Sequence, residues 1–160
     1  MLKLRSVAVS KNPVDWETVY RAAFPSLYRA VLATTLDAEI ALDAVQDAFE
    51  LGLRRPPPNQ ENVVGWLFRV AVRRSLRHRF RRPRGLAPEY IDEISQTLDR
   101  LEVGSLLRIL TPRQRAIVVA HYFLGLRHAE IAMLLGVKRG TVGATITHAL
   151  SRMREEKAHV

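Results

Sequence analysis

Cysteine is absent from the 160 residues, which excludes a disulfide framework, a thiolate metal site and a cysteine nucleophile. Long apolar runs are missing too: the longest uncharged apolar stretch, Ala116 to Leu126, is about half of the roughly 20 residues a membrane-spanning helix needs. Met1 to Asn12 carries Lys3, Arg5 and Lys11 with no apolar block behind them, so no secretory signal is expected. Acidic residues are the minority, 16 Asp and Glu against 25 Lys and Arg, and the net charge is +9. None lies between Glu61 and Glu89. This balance favours a polyanionic partner such as nucleic acid. His78, His121, His128, His148 and His159 never fall at metal-ligand spacing with carboxylates. Asp43 and Asp47, the one conceivable carboxylate pair, have no convergent base, nucleophile or glycine-rich phosphate loop beside them. The expectation is a soluble cytoplasmic protein that is no enzyme, holds no cofactor or metal and does not enter a membrane.

Strand-period alternation is also lacking, and apolar residues recur at helical spacing instead, so the expected fold class is all-α. Asn12 and Pro13 form a capping start, followed by Trp16, Val19, Tyr20, Ala23, Leu27 and Val31 on one helical stripe. Pro25 is expected to kink or divide that stretch. Asp37 opens a second helix to about Leu53 with Ala41, Ala44, Val45, Ala48 and Phe49 on its apolar side. Glu39, Asp43, Gln46, Asp47 and Glu50 are read as the exposed opposite face. The run Arg54 to Asn59 contains three prolines and reads as an extended loop.

A third helix is expected over Trp66 to Phe80, with Trp66, Leu67, Val70 and Ala71 facing a core. Arg69, Arg73, Arg77 and Arg81 form a row four residues apart, widened by Arg74, Arg79, Arg82, Arg84 and His78. Like charges at that spacing weaken an isolated helix by a few tenths of a kcal/mol per pair, a cost that a phosphate backbone offsets. Pro83, Gly85 and Pro88 end this half, and residues 83–97 read as an interdomain linker. Beyond it come a short helix near Leu98 to Ile109, a capping-box start at Thr111, Pro112 and Gln114, and a helix ending at Gly125. Arg127 to Leu135, a turn at Gly136 and Val137, and Thr141 to Glu155 then spell a helix-turn-helix. The second helix of that motif enters the major groove, and Lys138, Arg139, Thr141, Thr145 and His148 stand where it would meet DNA.

In this order the segments resemble the sigma-70 family of RNA polymerase sigma factors, and its smallest, extracytoplasmic-function group in particular, from about Val14 to Glu156. Asp43-Ala-Val-Gln-Asp-Ala-Phe49 is similar to the family's polymerase-binding helix, and Gly65 to Val72 to the helix that meets the −10 promoter element. Leu110 to Arg115, Tyr122 to Leu126, Ala129 to Ala132, Leu134 to Gly136 and Gly140 to Val142 are similar to the domain that binds the −35 element. The resemblance implies two small helical domains joined by a flexible linker, residues 13–82 and 98–157. It implies that Asp43, Gln46, Asp47 and Phe49 dock on core RNA polymerase, a partner contacted through its β and β′ subunits. It also implies promoter DNA on Asn59, Asn62, Trp66, Arg69, Arg73 and Arg77, where the loop Pro58 to Val63 captures a single-stranded base, and on the helix-turn-helix residues above. An anti-sigma factor is a further candidate partner.

The sequence departs from the family pattern in places. Arg73 stands where Asn is common, and Gly143, Ala144, Thr145 and His148 replace the usual basic and serine residues of the recognition helix. Arg127 replaces the Ser or Thr that normally caps the first helix of the motif, which leaves Glu130 without a reciprocal partner. Two other readings compete: a helix-turn-helix regulator acting alone, for which no dimerisation helix is evident, and a sigma-like adaptor that reads promoters poorly.

Overall fold

The structure is a computed structural model that describes residues 13–77, 96 and 102–159; these contain seven α-helices and no strand. The expected all-α class holds. Helix α1 spans Trp16–Thr35. It begins later than the Asn12 and Pro13 reading implied, because the Asp15 carboxylate accepts from both the backbone N–H and the hydroxyl of Thr18, at 3.2 and 2.7 Å. Asn12 itself lies outside the described residues. Pro25 neither divides nor ends α1. A proline inside a helix costs roughly 3 kcal/mol, and here Phe24, Leu27 and Tyr28, all fully buried, supply packing that outweighs it. The helix closes at Leu36, whose φ of 55° is left-handed and whose N–H reaches Leu32 O at 2.7 Å.

Helix α2, Ala38–Arg54, starts where expected, with Asp37 accepting from the Ile40 N–H at 2.9 Å. Helix α3, Val63–Arg77, starts three residues before Trp66. Asn62 explains the difference: its side-chain oxygen accepts from the Gly65 N–H at 2.8 Å and its carbonyl from the Trp66 N–H at 3.1 Å. A Cβ at position 65 would lie 2.8 to 2.9 Å from the Asn62 side chain, so glycine is what lets this cap fold over the first turn. The three helices pack on one another around Phe24, Leu27, Tyr28, Val31, Val45, Leu67, Phe68 and Val72.

The second half holds α4 (Glu102–Arg108), α5 (Pro112–Tyr122), α6 (His128–Leu135) and α7 (Arg139–Ala158). The expected capping box is present: Gln114 N–H donates to Thr111 Oγ1 at 3.2 Å, and Thr111 N–H to Gln114 Oε1 at 2.9 Å. Helix α5 ends at Tyr122, short of Gly125, which instead carries the turn with φ 69°. Gly136, φ 64°, ends α6 and directs the chain into α7, completing the helix-turn-helix. The expected linker falls outside the described residues apart from Gln96.

Every residue of α5 from Arg115 to Ala120 is buried. A helix apolar on all sides must be covered on all sides, and α5 lies between α1 of the first half and α7 of its own. The two halves therefore share a continuous core. At their seam Arg115, 8% exposed, has no carboxylate partner among the described residues. Its Nε donates to Thr34 O at 2.7 Å, and its Nη1 to Leu110 O at 2.6 Å and Leu107 O at 3.4 Å. These carbonyls belong to the C-terminal ends of α1 and α4, where helix dipoles place negative charge. Burial lowers the Arg115 pKa, and arginine stays protonated regardless.

Candidate nucleic-acid interface

Sequence placed Asp43 and Asp47 on an exposed face of α2; the structure corrects this. They are 6% and 9% exposed. The reason is α3, which packs along α2 more extensively than any other pair of helices in the described chain. Asp47 Oδ2 lies 3.5 Å from Nη1 of Arg74. The arginine-rich helix thus finds a counter-charge that its own neighbourhood in sequence lacks. Phe49, also assigned to docking, is a core residue: 6% exposed, with ring centroids 4.9 Å from Tyr20, 6.0 Å from Phe24 and 6.4 Å from Trp16.

Gln46 is only half-buried and borders an open groove of about 470 Å³ that Trp16, Tyr20, Phe49 and Leu53 also line. Its Oε1 is shielded from solvent and has no hydrogen-bond partner. Such an acceptor costs about 1–3 kcal/mol until a donor reaches it. Leu53 is 64% exposed on the same wall. The rim carboxylates are paired locally, Glu17 with Arg21 at 2.7 Å and Glu50 with Arg54 at 3.6 Å. Sequence missed this groove. Its available signal was Trp16 and Tyr20, one turn apart, and Gly52, where any Cβ would collide with the Trp16 ring.

On α3, Arg73 and Arg77 are exposed and Arg69 is half-buried, so the row survives as a basic face, with Arg74 turned partly toward Asp47. His78, Arg79, Arg81, Arg82 and Arg84 lie outside the described residues. Trp66 is half-buried and packs against the core, as its neighbours implied. Asn59 and Asn62 are exposed, but both side-chain oxygens are engaged locally: Asn59 Oδ1 accepts from the Glu61 N–H at 2.9 Å, and Asn62 Oδ1 caps α3.

The helix-turn-helix presents Lys138, Arg139, Thr141 and His148 to solvent, with Thr145 half-buried between them. Val142, Ile146 and Ala149 hold the opposite side of α7 in the core. Lys138 occupies the N-cap without a side-chain capping bond, so the first amides of α7 and two exposed cations, Lys138 and Arg139, lie at one helix start, a favourable setting for phosphate. Glu130 is not left alone by the Arg127 substitution. It accepts from the Arg127 backbone N–H at 2.7 Å and from its guanidinium at 3.3 Å. Those hydrogen bonds lower the Glu130 pKa. The cap is therefore one-sided, since a guanidinium has no acceptor with which to answer.

The family description Sigma-70, region 4 matches residues 100–153. The chain is 33% identical over 149 residues to the ECF RNA polymerase sigma factor SigL of Mycobacterium tuberculosis, covering 80% of each protein. It is 28% identical over 160 residues to SigM of the same organism, covering 94% of this chain and 81% of that one. Similarity to the RNA polymerase sigma-E factor of Streptomyces avermitilis is 38% over 65 residues. That match covers 41% of this chain and spans little more than a third, 36%, of the relative. Among solved structures, CnrH in complex with the cytosolic domain of CnrY superposes with a TM-score of 0.62 at 21% identity, over 94% of this chain and 92% of that one.

Proposed function

The chain belongs to the extracytoplasmic-function group of sigma-70 family sigma factors, and from that premise we propose how its surfaces divide the work of starting transcription. The groove on α1 and α2 takes core RNA polymerase, with Gln46 and Leu53 meeting the partner. Asp47 and Phe49 act from beneath, holding α2 against α3 and against the aromatic cluster. The α3 arginines hold promoter phosphates near the opened −10 region, and the start of α7 holds the −35 region. The catalytic chemistry stays with the polymerase. The observation that carries this reading is the buried, unpartnered Gln46 Oε1 beside an open apolar groove, which a DNA-binding protein acting alone has no use for.

CnrH, which shares this fold, is in complex with a protein partner, the cytosolic domain of CnrY, and for this chain we propose an anti-sigma partner. A cytoplasmic location is proposed on the same footing; no helix among the described residues is long and apolar enough to cross a membrane.

Promoter-dependent transcription by core polymerase with and without the protein tests the assignment. Transcripts that depend on the added protein support it, and their absence despite core binding favours the adaptor reading. A promoter library in the same assay is expected to return a weak upstream motif. Thr141, Thr145 and His148 cannot make the bidentate contacts that discriminate bases by about 1–3 kcal/mol. A sharp upstream motif lost in Thr145→Ala or His148→Ala would overturn that expectation.

For α3, each phosphate contact removed lowers the salt slope of log affinity by about 0.9 on duplex DNA and about 0.7 on single strands. Replacing Arg69, Arg73 and Arg77 with Ala should therefore flatten the slope by roughly 2 to 3. An unchanged slope would mean that the row is only solvated.

A further inference from the structure

We infer that Arg127 is a DNA-anchoring residue: its guanidinium, held by Glu130 in the free chain, transfers to a phosphate of the upstream promoter duplex. The inference rests on the promoter reading above and adds to it a contact that the recognition helix itself does not supply.

That helix is short of cations. Between Thr141 and Leu150 its only nitrogen-bearing side chain is that of His148, and on its flank at Gly143 a ring from α6 fills the space a side chain would enter. A Cβ at position 143 would lie 3.6 Å from Nδ1 and 3.7 Å from Cε1 of His128. His121 braces that ring, with centroids 4.9 Å apart, and its own Nδ1 donates to the Leu126 carbonyl at 2.9 Å. These contacts set the start of α6 against the second turn of α7. Arg127, the residue just ahead of His128, is thereby brought alongside the recognition helix. In a helix-turn-helix the first helix crosses the DNA backbone while the second lies in the groove, so a cation at the start of α6 meets phosphate rather than base edges.

Arg127 is placed for a change of partner. Its side chain is 82% exposed, and its guanidinium lies 3.3 Å from Glu130 Oε1. An exposed pair of this kind contributes little to stability, whereas a guanidinium on a phosphate makes paired charge-assisted hydrogen bonds and releases counterions. Glu130 keeps its place without the guanidinium, because it also accepts from the Arg127 backbone N–H at 2.7 Å. Nor does the guanidinium serve the first amides of α6, since it has no acceptor to offer them. A hydroxyl would serve them better. At the start of α5, Thr111 accepts from the Gln114 N–H and Gln114 accepts from the Thr111 N–H. Arginine at 127 forgoes half of such a cap, and a phosphate contact gives the reason.

Serine at this position separates the two roles. Arg127→Ser completes the cap with Glu130, so the thermal midpoint of the free chain is expected to hold or to rise by about 1–4 °C. Promoter binding should weaken all the same. Holoenzyme is assembled from core polymerase and each protein, and its affinity for a labelled promoter duplex is measured over a range of salt from about 0.05 to 0.3 M. Arg127→Ser should lower the slope of log affinity against log salt by about 0.9, which amounts to roughly eightfold over one decade of salt. Arg127→Lys keeps the charge and should keep the slope. Arg154→Ser, which removes an exposed cation from the far end of α7, should keep it too. An unchanged slope in Arg127→Ser would overturn the inference. So would an equal fall in Arg154→Ser, which would make the effect one of net charge. If the unaltered protein gives no polymerase-dependent promoter binding, the promoter reading itself fails; binding that is present but indifferent to Arg127 defeats only the anchoring role.

Discussion

Gln46→Lys is expected to weaken core polymerase binding by about thirtyfold, the effect of losing a central contact worth roughly 2 kcal/mol, and to leave the thermal midpoint of the free protein nearly unchanged. Oε1 of Gln46 is the one buried side-chain oxygen or nitrogen without a partner among the described residues. Gln46 lines a groove together with Trp16, Tyr20, Phe49 and Leu53. A partner that brings a donor there recovers the acceptor's cost, and an apolar side chain beside it removes Leu53 from water. Lysine replaces the acceptor with a cation that repels any such donor. Since Gln46 is half-buried at the edge of the helix, its replacement disturbs little of the core. Titration of labelled core polymerase with each protein, alongside calorimetry of each protein alone, separates the two effects. Undiminished binding by Gln46→Lys would move the docking face elsewhere.

Phe49→Ala should act in the opposite way, through stability. Phe49 contacts three aromatic rings and is almost wholly buried, and truncating a buried Phe to Ala costs about 3–5 kcal/mol. Against a typical total of about 5–15 kcal/mol, that leaves the variant partly unfolded near physiological temperature. Denaturant titration is expected to show the midpoint fall with a nearly constant slope, and Phe49→Leu should lose much less. A variant that melts like the parent yet no longer binds polymerase would restore Phe49 to the docking surface.

These two residues show what the sequence made legible and what it hid. Helical periodicity and caps located every described helix, and the capping box at Thr111 and the turn glycine at 136 were read correctly, because those signals are local. The Asn12 and Pro13 start failed for a local reason as well, since a nearby carboxylate at Asp15 captured the Thr18 amide. Asp43 and Asp47 were misjudged because a charged face was assumed to be a wet one. Only the packing of α3 on α2 supplies Arg74 as a partner for Asp47. The groove was invisible for the same reason: it forms from two helices, and neither presents it alone. The exposure of Arg73, Arg77, Lys138 and Arg139 matches the sequence reading, since long charged side chains on a helix surface stay in water whatever lies behind them.

The bond between Arg115 and Thr34 also bears on how the chain is made. The ribosome adds roughly 5–20 residues per second, so about 4–16 s separate synthesis of the C-terminal end of α1 from synthesis of its α5 partner. Helices α1 to α3 can settle on one another in that interval, because their contacts are mutual. The side of α1 that α5 will cover is without that helix until then. A nascent chain in that state offers an apolar stripe to chaperones or to its neighbours on the same messenger. The yield of this protein in a cell is therefore expected to depend on translation speed between residues 34 and 115 more than on speed elsewhere along the message.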